Sequence, residues 1–200
     1  VSQTTIGKSP FRAMGFEEVP ADQDSNLSIL STVEFPSSEP PILNDQIKTQ
    51  IDDFLAEYKS GPKLIKEGIR PPTSLIMTGP PGVGKTMLAH FIASETGKKL
   101  YILNLATVVS SFLGKTSQNL KAALDFAKNT DAIIFLDEFD SIAKKRNDTT
   151  DLGELKRIVN VLLLELENWP ANSLIIAATN HPDLIDEAIW RRFDNSIEIQ

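Results

Sequence analysis

From Asn44 onward, apolar residues recur in two alternating rhythms. Ile47, Ile51, Phe54, Leu55 and Tyr58 return every three or four positions, which predicts a helix with one buried face, closed by Gly61-Pro62. Short and nearly continuous apolar runs then predict strands at 73–78, 99–103, 132–136, 173–178 and 195–199. Between them, helical spacing predicts helices over 85–96, 116–128 and 151–168, the first stopped by Gly97. On the last, Leu152, Leu155, Ile158, Val159, Leu162, Leu166 and Trp169 share one face. Apolar strands alternating with helices specify a parallel sheet covered on both faces. The expected fold is α/β, a three-layer α/β/α sandwich around a five-stranded parallel sheet.

Residues 1–40 lack such rhythm. Ser, Thr, Pro, Asp and Glu are frequent there, and "FPSSEPP" at 35–41 is turn-rich. They are expected to form an N-terminal arm or linker, with a single α/β domain over 41–200. The chain starts at Val1, which suits a processed or excised piece. Composition narrows the function classes. With no cysteine, disulfides, zinc–thiolate sites and thiol nucleophiles are excluded. No apolar run reaches membrane-spanning length and no signal-peptide pattern opens the chain, so the expectation is a cytoplasmic protein without a membrane partner. The net charge of −7 argues against a broad nucleic-acid surface, while leaving room for a local basic patch.

The densest chemistry is GPPGVGKT at 79–86, between a strand and a helix. Gly79-x4-Gly84-Lys85-Thr86 is the phosphate-binding loop signature in its required context. Glycines let main-chain N–H groups turn toward an anion, and the helix N-terminus adds unpaired donors. Lys85 brings a full charge to the terminal phosphates, and the Thr86 hydroxyl is a hard oxygen ligand for Mg²⁺. The nucleotide-binding set is therefore Gly79, Pro80, Pro81, Gly82, Val83, Gly84, Lys85, Thr86 and Met87. A second motif, Ile133-Ile134-Phe135-Leu136-Asp137-Glu138, delivers two carboxylates at a strand's C-terminal end, where open parallel sheets bind ligands. Asp137 is expected to join the Mg²⁺ shell, and Glu138 to orient or deprotonate a water. Asp140 reads equally well as a helix cap or as part of the site.

Together with IIFLDEFDSIAKKR (133–146), IIAATN (175–180) and DEAIWRRFDNSIEI (186–199), the loop makes the chain resemble the AAA+ ATPases, specifically the AAA clade and its bacterial stand-alone members. The likeness covers about residues 40–200. It implies the P-loop NTPase form of the fold, ATP and Mg²⁺ as cofactors, and hydrolysis to ADP and phosphate. It further implies that Asn180, ending an apolar strand, holds the lytic water. Arg191 and Arg192 match the family's arginine fingers, which complete a neighbouring subunit's site, so a self-assembled ring, by analogy a hexamer, is implied. Phe112, Leu113 and Gly114 match a pore loop that grips an extended protein substrate, with 147–153 as a second loop.

There are departures. The family often has Asp-Gly where this chain has Glu167-Asn168-Trp169-Pro170. The resemblance also implies a small helical lid domain beyond Gln200, missing from this chain, which on that expectation is a fragment. His90 and His181 are too far apart to make a metal site. The leading expectation is an ATPase that remodels, unfolds or translocates proteins. Its rivals are a nucleic-acid-handling ATPase of the same superfamily and a nucleotide-dependent scaffold without turnover.

Overall fold

A computed structural model describes residues 30–33, 41–111, 116–144 and 152–200. In chain order the elements are β1 (Ser31–Val33), α1 (Asp45–Lys59), α2 (Gly61–Lys66), β2 (Ser74–Thr78), α3 (Lys85–Thr96), β3 (Leu100–Asn104) and α4 (Leu105–Ser111). Then come α5 (Thr116–Asn129), β4 (Ile133–Asp137), α6 (Ser141–Lys144), α7 (Leu152–Glu167), β5 (Leu174–Thr179), α8 (Glu187–Trp190) and β6 (Asn195–Glu198). The five expected strands are all present, each within one residue of its predicted bounds.

Those five strands form the parallel sheet, in the order β3-β4-β5-β2-β6. A sixth, β1, joins antiparallel at the β3 edge with Ser31 opposite Ile102, so part of the segment expected as an arm belongs to the sheet. Asn44 caps α1, its side-chain oxygen accepting from the Ile47 N–H at 2.8 Å. Gly61-Pro62 does not simply close α1: it opens α2, because proline's fixed φ and missing N–H suit a first helical turn.

Strand residues alternate between two cores, as a pleated sheet requires. On one face Leu75, Met77, Phe135 and Ile176 pack with α1 and with Leu88 and Ile92 of α3. On the other, Ile76, Ile134, Leu136 and Ile175 pack with α5 and α7, through Leu120, Leu124, Ile158, Leu162, Leu166 and Trp169. The side chains of Leu152 and Leu155 lie outside the described residues. These are the three expected layers. A charged contact also fastens α5 to α7: the buried Glu165 carboxylate pairs with Lys121 at 3.1 Å and with Lys128. Lys128 in turn sits 5.2 Å over the Trp169 ring. The parallel order brings the C-terminal ends of β4, β5 and β2 side by side, with β5 between its two neighbours.

Candidate functional site

The loop 79–84 leaves β2 and runs straight into α3. Two glycines have specific reasons to be there. Gly84 immediately precedes α3 with φ +93°, a left-handed conformation that lets the chain turn into the helix. Gly79 has φ +147°, and a Cβ on it would lie 2.1 Å from the Ile199 carbonyl oxygen. Lys85 opens α3 and is only 8% exposed. Its amine donates to the carbonyls of Gly79 and Pro80, both at 2.8 Å. Burial pulls the Lys85 pKa below its usual value, against the opposing pull of Asp137 and Asp140. Thr86 and Met87 follow on the exposed first turn of α3.

Asp137 ends β4, and its Oδ1 accepts the Glu138 N–H at 2.8 Å. Glu138 is exposed and has φ +52°, a costly backbone conformation for a side-chain-bearing residue. The neighbouring Phe139 N–H donates to the Ala178 carbonyl of β5 at 2.9 Å. Asp140, 3% exposed, accepts the Thr179 hydroxyl at 3.0 Å and the Asn180 N–H at 3.3 Å. Asp140 thus ties the turn that precedes α6 to the end of β5. Thr179 also accepts the His181 N–H at 3.0 Å. Asn180 emerges next to the loop, since Thr179 lies opposite Thr78 in the β2–β5 ladder.

The structure thus brings together the phosphate loop, Asp137, Glu138 and Asn180 on three adjacent strand ends. It does not bring Arg191 and Arg192 to them. Both precede β6, whose first residue Asn195 lies opposite Leu75 near the start of β2. They lead into β6 at the foot of β2, one strand length (~16 Å) from the loop at its other end. Arg191 pairs with Glu187, and Arg192 with Glu167 at 3.5 Å. Phe112, Leu113 and Gly114 lie outside the described residues, as does most of 147–153, of which Leu152 and Gly153 begin α7.

The sequence profile of the AAA ATPases, the family associated with various cellular activities, matches residues 75–200. The chain belongs to the AAA family of ATPases. It is 38% identical over 141 residues to an uncharacterised AAA family ATPase, y4kL, of Sinorhizobium fredii (strain NBRC 101917 / NGR234). That match covers 70% of this chain and 43% of the relative, so the chain spans less than half of that protein. The matched region of this AAA ATPase contains the loop, both carboxylates, Asn180 and the arginine pair. Among its described residues, no helix is long and apolar enough to cross a membrane.

Two groups beside the arginine pair were not assigned from sequence. One is Phe193, whose ring meets that of Phe139 edge-on at 5.9 Å. The other is Asp194, whose carboxylate reaches Thr73 and Ser74 across more than a hundred residues. The available signal was a polar pair, Thr73-Ser74, at the head of an apolar strand.

Proposed function

We propose that this AAA ATPase hydrolyses ATP with Mg²⁺ and uses the energy to remodel, unfold or translocate a protein substrate as a ring oligomer. The convergence of the loop, two carboxylates and an amide on three neighbouring strand ends carries the reading. The donor set suits a triphosphate. Positive-φ glycines expose main-chain amides, a helix begins at the loop, and a buried lysine lies against it.

The main-chain N–H groups of Gly82, Val83, Gly84 and Lys85 and the Lys85 ammonium would take the phosphates, with Pro80 and Pro81, which have no N–H, shaping the turn that Gly79 keeps open and Met87 alongside. Thr86 and Asp137 would hold the metal, whose charge, when bound, offsets negative charge on the phosphoryl oxygens. Glu138 would take a proton from the attacking water, and the Asn180 amide would orient that water. The separation of Arg191 and Arg192 from their own loop supports a role in trans. Their guanidinium groups would then stabilise charge in a neighbour's site, in a hexamer on the family pattern. Phe112, Leu113 and Gly114 would grip the polypeptide in the pore.

The test uses full-length protein carrying Glu138→Gln and loaded with ATP, which should retain a polypeptide client. Retention of DNA or RNA in its place contradicts protein remodelling. ATP turnover by the wild-type full-length protein separates an enzyme from a nucleotide-dependent scaffold, which would show none.

A further inference from the structure

We propose that Asp194 is a positioning residue that fixes the arginine pair against the strand carrying the phosphate loop. This rests on the trans role given above to Arg191 and Arg192. Thr73 and Ser74, both wholly buried, form the foot of that strand. Two backbone N–H groups and two hydroxyls there all donate to one carboxylate oxygen, Asp194 Oδ2. The Thr73 N–H is at 2.8 Å, the Thr73 hydroxyl at 3.2 Å, the Ser74 N–H at 3.0 Å and the Ser74 hydroxyl at 2.9 Å. The Asp194 N–H donates back to Ser74 Oγ at 2.9 Å. An ionised acceptor makes such bonds shorter and stronger than a neutral one, so the charge on Asp194 matters to the joint.

A second tether closes around the first. Arg70 donates to Thr73 Oγ1 at 3.4 Å, and to the carbonyls of Leu166 and Glu167 at the end of α7. The Glu167 carboxylate is the partner of Arg192. At the other end of the segment, the Ile199 N–H donates to the Thr78 carbonyl at 2.7 Å, directly before the loop. Residues 194–199 are thus held at the foot of β2 by Asp194 and at its tip by the Thr78 carbonyl. The long arginine side chains start from a fixed point. A displacement of about 1 Å in such a group can cost about 10²-fold in rate.

The experiment mixes two kinds of full-length subunit. One keeps its own site and carries Arg191→Ala with Arg192→Ala. The other carries Glu138→Gln and keeps its arginines. ATP turnover by the mixture then reports arginines supplied in trans. Asp194→Asn in the arginine donor should lower that turnover by about 10²-fold. The same change in the arginine-free subunit should leave it near its starting level. Ser74→Ala in the donor, cutting the joint from its other side, should reproduce the asymmetry. Equal losses in both placements, as a folding defect would give, overturn the inference, and so does no loss in either. A mixture already inactive with Asp194 intact contradicts the trans role itself, and this inference with it.

Discussion

The Asp140 carboxylate holds the Thr179 hydroxyl at 3.0 Å, joining the turn after β4 to the last residue of β5. One end of this bond follows Glu138 by two residues and the other precedes Asn180 by one. The bond therefore sets the spacing between the two side chains proposed to handle water. Asp140→Ala leaves the buried Thr179 hydroxyl short of a partner, at about 1–3 kcal/mol of stability. Denaturant unfolding should show that loss. Turnover in the full-length protein should fall while nucleotide affinity changes little.

Gly79 and the Ile199 carbonyl leave no room for a side chain between them. Gly79→Ala should push β6 away from the loop, lowering both the melting temperature and nucleotide affinity. Calorimetry with and without nucleotide checks both. An alanine variant that binds nucleotide normally contradicts the geometry.

The arginine pair separates the two halves of the site. Arg191→Ala and Arg192→Ala should each leave nucleotide binding intact, because neither residue lies near its own loop. Turnover should fall most for the residue that enters the neighbour's site, by about 10³–10⁵-fold for a full arginine finger. Titration binding and phosphate release on the two variants decide which residue that is.

Stability should depend on acid through Glu165. Burial raises its pKa, but the bonds and charges of Lys128 and Lys121 outweigh that and hold it below the usual carboxylate value. The unfolded chain therefore takes up this proton first as pH falls. The contribution is complete above the ordinary carboxylate pKa, about 4.3, and drains away as pH falls through the depressed folded value. Glu165→Gln should flatten the acid limb of a stability–pH curve and lower stability at neutral pH, where the two lysines lose their shared partner.

Local features of this protein were legible in the sequence, and distant pairings were not. Apolar blocks such as Ile133–Asp137 announced the strands because both sheet faces are covered. Lys85, Thr86, Asp137 and Glu138 could be named because their chemistry sits in contiguous motifs at strand ends. β1 escaped notice because three residues at a sheet edge, two of them polar, carry no periodic signature. Gly61-Pro62 reads as a stop, and only the structure shows that it also starts α2. Asp140 and Asp194 act across 39 and 121 residues, so their partners depended on strand order. The positive φ of Glu138 leaves no trace in residue type.

Whether loop and carboxylates form one hydrolytic site is measured by pairing nucleotide affinity with phosphate release in full-length Glu138→Gln. The predicted result is near-wild-type ATP affinity with turnover reduced by about 10²-fold or more. Undiminished phosphate release from that variant would contradict such a site.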